Sequence, residues 1–127
     1  MLKQTRKYTD FNGEVKTEDF YFNLTKAEIA EMELAIDGGF QSYLRRIINA
    51  KDTPSLLAVF KKIILGAYGQ KSDDGKYFRK SEEISYDFSQ TQAYSDLFIE
   101  LTTDAEKASA FINAIIPEDL RGDVKEG

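Results

Sequence analysis

The sequence contains no cysteine and no histidine. Disulfides, thiolate chemistry, imidazole acid–base work and nearly every zinc site are excluded at once. Proline occurs only twice, at Pro54 and Pro117, and both copies read as helix boundaries. Long apolar runs are also missing. The longest near-apolar stretch, Leu56-Leu57-Ala58-Val59-Phe60, is broken by Lys61 and Lys62 before Ile63-Ile64-Leu65. A spanning helix needs about 20 apolar residues, so no membrane segment is expected. Basic residues are outnumbered, 17 against 22 acidic, for a net charge of −5. That balance argues against a nucleic-acid partner bound by phosphate neutralisation. The amino terminus is charged from Lys3 onward with no apolar segment behind it, so no secretory signal is expected. Together with the lack of cysteine, this makes the cytoplasm the expected location.

What remains is an ordinary globular composition: 127 residues, 42% hydrophobic and 31% charged. One domain is expected, able to bury roughly two-thirds of its unfolded surface. Residues 1–24 read as a β-hairpin, with arms Lys3 to Phe11 and Val15 to Leu24 around Asn12-Gly13. That dipeptide favours a two-residue type I′ turn, which requires positive φ at both positions. In the second arm Phe20 and Phe22 share one face, and Asp19 and Tyr21 the other, so one face is expected packed and one wet.

Helical signals dominate residues 25–117. Thr25-Lys-Ala-Glu28 is a capping box, opening a helix with Ile29, Met32 and Ile36 on one stripe that stops at Asp37-Gly38-Gly39. Phe40, Tyr43, Leu44, Ile47 and Ile48 form a second stripe at helical period. Thr53-Pro54 starts a third helix carrying Leu56, Leu57, Val59, Phe60, Ile63, Ile64, Leu65 and Ala67, the expected centre of the core. Tyr68 to Gly75 is a polar break ending in turn chemistry, and Tyr77-Phe78 suggests a short extended piece. Ser81 caps a short helix with Ile84 and Phe88. A further helix bears Tyr94, Leu97, Phe98 and Leu101, and Thr103-Asp104 caps a last one with Ala108, Phe111, Ile112, Ile115 and Ile116, ended by Pro117. The expected architecture is a small, mainly helical α+β domain over residues 1–117: the hairpin, then a bundle of about five amphipathic helices. Residues 118–127 read as a flexible charged tail.

Tests for chemistry mostly fail. Aligning Gly75 with the sixth position of a calcium loop puts Gln70 first and Ser81 twelfth, where an aspartate and a bidentate carboxylate belong. Gly38-Gly39 lacks the Lys-Ser or Lys-Thr of a phosphate loop. Glu82, Glu83 and Asp87 could form a carboxylate site for a metal-dependent enzyme, but acids at a helix start are already favoured by its dipole. Serines have no histidine base, and no motif supports a Ser-Lys pair. Arg45, Arg46, Lys51, Lys61 and Lys62 make the one basic cluster and read as a solvated helix face. No catalytic, cofactor or metal residue is assigned. Tyr68, Tyr77, Phe78, Tyr94 and Phe98 are candidates for an exposed aromatic patch, although burial is the ordinary fate of rings in a small core. As a protein-interaction surface the sequence offers Phe20, Phe22, Phe40, Tyr43, Tyr77 and Phe78.

The order of several segments resembles a known family. Thr17-Glu-Asp-Phe-Tyr-Phe-Asn-Leu-Thr-Lys-Ala-Glu28, Asp52-Thr-Pro54, Tyr68-Gly69, Ser72-Asp-Asp-Gly75, Phe78, Lys80-Ser81, Phe88-Ser-Gln-Thr-Gln-Ala-Tyr-Ser-Asp-Leu-Phe98 and Ile115-Ile116-Pro117 are similar to tail assembly chaperones of long-tailed phages and prophages of Gram-positive bacteria. The resemblance implies a non-enzymatic assembly factor. Such a factor binds the tape measure protein and keeps it soluble until tail tube protein polymerises around it, and is absent from the finished virion. It further implies a frameshift-extended form of the chain as a partner. From the residues themselves, the hairpin edge at residues 3–24 and the Phe40–Ile48 stripe each offer a route to self-association, or simply complete the core of a monomer. Two other classes remain open at this point: a small virion or head–tail connector subunit, and a carboxylate-dependent enzyme built around Glu82.

Overall fold

The structure, a computed structural model, describes residues 1–35, 42 and 53–117. The Asp37-Gly38-Gly39 stop, the Phe40–Ile48 stripe, the Arg45-Arg46 pair, Lys51 and the tail at 118–127 lie outside the described residues. Strands β1 (Leu2–Thr9) and β2 (Val15–Phe22) are followed by α1 (Lys26–Ala35) and α2 (Thr53–Ala67). Next come β3 (Tyr68–Lys71), β4 (Phe78–Arg79), α3 (Glu82–Ser89), α4 (Gln92–Thr103) and α5 (Ala105–Ile115). The expected small α+β domain, an N-terminal hairpin followed by helices, is what forms, with five helices among the described residues. The sheet is larger than the sequence reading implied. β3 and β4 make a second hairpin where the sequence predicts a polar break over Tyr68 to Gly75 and a short extended piece at Tyr77-Phe78, and the four strands run in the order β1-β2-β3-β4, each pair antiparallel.

The first hairpin closes differently from the expected two-residue turn. The Asp10 N–H donates to the Glu14 carbonyl at 2.8 Å and the Gly13 N–H to the Asp10 carbonyl at 3.0 Å, leaving a three-residue loop, Phe11-Asn12-Gly13. Gly13 takes φ +82, the left-handed position such a loop requires after a tight turn. Asp10 decides the geometry: its carboxylate accepts the N–H groups of both Asn12 and Glu14 at 2.9 Å. These N–H donors hold the Asp10 carboxyl below its ordinary value, with Lys16 adding to the effect. β3–β4 also uses an aspartate and a left-handed glycine, but in a four-residue loop closed by the Ser72 N–H donating to the Tyr77 carbonyl at 2.9 Å. The Gly75 N–H donates to the Ser72 carbonyl at 2.9 Å, Gly75 has φ +77, and Asp74 accepts from the Ser72 hydroxyl and the Lys76 N–H.

The helix starts follow the capping residues. Thr25 N–H donates to the Glu28 carboxylate at 2.8 Å while Glu28 N–H donates to the Thr25 hydroxyl at 3.2 Å, a complete capping box. Ser81, Thr91 and Asp104 accept first-turn N–H groups of α3, α4 and α5. α2 begins at Thr53 with Pro54 in its first turn, where a missing N–H costs nothing. The buried side chains come from every layer: Phe20, Phe22 and Leu24; Val59, Phe60, Ile63, Ile64 and Ala67; Phe88; Ala93, Leu97 and Leu101; Ala108, Phe111, Ile112, Ile115 and Ile116. At their centre Phe22 meets Phe111 edge-on at 5.2 Å and Phe88 at 5.8 Å, and Tyr68 stacks on Phe88 at 4.0 Å. Each such pair adds about 0.5–1.5 kcal/mol beyond area burial.

The segment after β2 ties the layers together. Asn23 N–H donates to the Ala67 carbonyl and Leu24 N–H to the Ile115 carbonyl, both at 2.8 Å. Two helix C-termini, which leave carbonyls without intrahelical partners, are thus satisfied by one extended linker. Lys80 locks the same place from outside, donating to the Asn23 carbonyl and the Glu28 carboxylate at 2.7 Å.

Candidate protein-interaction surface

Of the six side chains proposed from sequence as an interaction surface, the four among the described residues fall into two groups. Phe20 and Phe22 point into the core, 6% and 0% exposed, because their strand face lies against Tyr68, Phe88 and Phe111. They offer no surface to a partner. Phe40 and Tyr43 lie outside the described residues. Tyr77 is half exposed and Phe78 partly buried, adjacent on β4 and the loop before it. Of the wider aromatic set, Tyr68, Tyr94 and Phe98 pack against the core.

Around Tyr77 and Phe78 the second hairpin gathers cations over rings. Lys76 and Arg79 lie 5.4 and 5.3 Å from the Tyr77 ring, Lys80 lies 5.6 Å from Phe78, and Lys71 lies 5.9 Å from Tyr21. Such contacts are worth about 0.5–1 kcal/mol each at exposed sites and fix the rings in place. Phe78 is held from below as well. Its ring lies over Gly69, where an added Cβ would meet it at 2.7 Å. Gly69 is therefore glycine because the ring needs the room.

Other apolar side chains reach solvent outside the set expected from sequence. Phe11 is 75% exposed and Val15 61%, both at the far end of the first hairpin; Tyr86 and Ile99 are similarly open on α3 and α4. A sequence signal existed for the last two. Tyr86 falls off the Ile84/Phe88 stripe, and Ile99 falls off the Leu97/Leu101 stripe.

The arrangement carries little of what acid–base chemistry needs. Glu82, Glu83 and Asp87 are all exposed, and among the described residues no group of three or more carboxylates is placed to hold a metal ion. In the loop that invited a calcium reading, Asp74 closes the turn, its carboxyl held below the ordinary value by the Lys76 N–H and the Ser72 hydroxyl. The two carboxylates with most surrounding structure serve the fold. At Glu28, burial pushes the pKa up, but the Lys80 ammonium and the Thr25 groups outweigh it, and the result lies below the ordinary value. Glu100 shows the same balance, with burial opposed by Lys107 and Arg6 at 3.1 Å. No helix among the described residues is long and apolar enough to cross a membrane.

No curated protein and no solved structure matches the chain. A family model described as phage tail assembly chaperone matches residues 1–127. The match runs through both hairpins and every helix described above, so the chain belongs to the phage tail assembly chaperone family.

Proposed function

We propose that this chain binds the tape measure protein and holds it soluble in the host cytoplasm until tail tube subunits polymerise around it, without catalysing a reaction. The observation that carries the reading is the family match over residues 1–127. The surface supports it: coating an amphipathic rod requires apolar side chains presented on a stable shell, and Phe11, Val15, Tyr77, Tyr86 and Ile99 are such side chains. Tyr77 and Phe78, with Phe40 and Tyr43 of the helical stripe, are the proposed contact residues. Tail tube protein, a frameshift-extended form of the chain and further copies of the chain itself are proposed as additional partners.

Coexpression with the tape measure protein encoded nearby, followed by size exclusion with light scattering, tests the proposal. The expected result is a soluble tape measure protein eluting with several copies of this chain, and no copies in purified particles. A tape measure protein that precipitates at the same level with and without the chain sinks the role for this form, and recovery of the chain in finished virions points instead to a structural subunit.

A further inference from the structure

We propose that the open edge of β1 accepts an extended, acidic segment of a partner protein as a fifth strand. The inference goes beyond the tape measure reading and does not depend on it, since it concerns an extended partner rather than a helical rod.

The first observation is the edge itself. Among the described residues β1 pairs with β2 alone, and it runs for eight residues, Leu2–Thr9. Pairing with the Asp10–Glu14 bond as the fixed point, antiparallel alternation sends the N–H and C=O groups of Gln4, Arg6 and Tyr8 to β2 and those of Lys3, Thr5, Lys7 and Thr9 outward. The side chains of those four outward residues are exposed, and among the described residues nothing pairs with their backbone groups. A row of alternating donors and acceptors matches another polypeptide strand. A phosphodiester chain offers acceptors only.

The second observation is charge. β1 carries Lys3, Arg6 and Lys7 and no carboxylate, in a chain whose net charge is −5. Arg6 turns inward to Glu100 at 3.1 Å. Lys3 and Lys7 stay on the wet face; Lys3 reaches Asp19 at only 3.6 Å, and Lys7 has no partner among the described residues. On an added strand, carboxylates at every second position would fall on that same face.

The same charges argue against a second copy as the occupant. Antiparallel pairing of β1 with its own copy sets three cations against three, and the other edge of the sheet, β4, carries Arg79 between Lys76 and Lys80. Like charges across a strand pair are destabilising, and lysines on an edge are a common guard against self-pairing.

The test uses the full chain and a synthetic eight-residue peptide alternating glutamate and threonine, with a control peptide bearing glutamine for glutamate. Residue-resolved amide exchange should slow at least tenfold at Lys3, Thr5, Lys7 and Thr9 when the acidic peptide is added. The glutamine peptide should bind at least tenfold more weakly, and Lys7→Glu should weaken the acidic peptide by a similar factor. Thr5→Pro removes an outward N–H and should abolish binding; if that variant fails to fold, Lys7→Glu still decides. Equal binding of both peptides, protection elsewhere in the chain, or no binding at millimolar peptide overturns the proposal. It is also overturned if the edge amides become protected on raising the protein concentration alone, which would mean a second copy, or on adding single-stranded DNA in place of the peptide.

Discussion

The two ends of the first hairpin share one strand pair and one register, yet they live in different surroundings. At the root, Leu2 faces Phe22 and Gln4 faces Phe20, and both phenylalanines are buried against helices. At the far end, Tyr8 faces Lys16 and Thr9 faces Val15, and every residue from Phe11 to Asp19 is exposed. Pairing is therefore not what separates core from surface here. The helices cover the root, where the linker after β2 joins the ends of α2 and α5, and reach along β1 as far as Arg6, which Glu100 of α4 holds at 3.1 Å. Beyond that reach the strands are held by their turn and by charge pairs such as Lys16–Asp10 at 3.3 Å. One element thus anchors the fold at one end and presents open backbone and apolar side chains at the other.

The sharpest way to break the comparison is at the root. Phe22→Ala deletes a fully buried ring in contact with Tyr68, Phe88 and Phe111, and should cost about 3–5 kcal/mol in urea denaturation. Gly69→Ala, one strand over, forces a Cβ to within 2.7 Å of the Phe78 ring and 2.9 Å of the Arg79 carbonyl. Overpacking of this kind costs about 1–3 kcal/mol, and a loss of less than half a kcal/mol would mean the second hairpin yields freely. At the middle of the hairpin, Arg6→Ala removes the tie to Glu100 and should cost about 1 kcal/mol, since the pair is partly solvated.

Acid titration reports on two tethers, that at Glu100 beneath the hairpin and that at Glu28 beside the linker. Both carboxyls sit below the ordinary value of 4.5 in the folded chain, so they bind protons more readily when unfolded. Their contribution is complete above about pH 4.5 and is lost as pH falls through the lowered folded-state values. Glu28→Gln should flatten part of that decline in a pH series of thermal melts. The smallest effect belongs to the far end. Phe11→Ser and Val15→Thr should change stability by no more than about 0.5 kcal/mol while reducing binding to any partner that uses them.

Much of this fold is legible in the residues, because capping and helical periodicity act locally. The Thr25–Glu28 box, the Ser81 and Asp104 caps and the stripes of α2, α4 and α5 need no knowledge of the rest of the chain. The Phe20/Phe22 face was equally visible as apolar. Alternation alone does not say whether such a face meets the chain's own helices or a partner, and here it meets helices. β3 is not legible in the sequence for a related reason. It leaves α2 without a break at Tyr68 and spans four residues, one of them Gly69, so its strand character comes from pairing with Tyr21 and Phe22 rather than from its own propensities. The turn at Asn12-Gly13 is legible, but its length is set by Asp10, whose carboxylate gathers two N–H groups and favours the longer loop. The exposed Phe11 was hidden in plain sight beside that turn, since a single apolar residue in a loop predicts nothing about its surroundings.

The contrast between anchored root and open end is tested most directly by residue-resolved amide exchange of the chain alone. The account predicts that the Phe20 and Phe22 amides exchange only with global unfolding, whereas those from Phe11 to Val15 exchange orders of magnitude faster. Equal protection at the two ends would contradict it, and would mean that the far end of the hairpin is covered in solution.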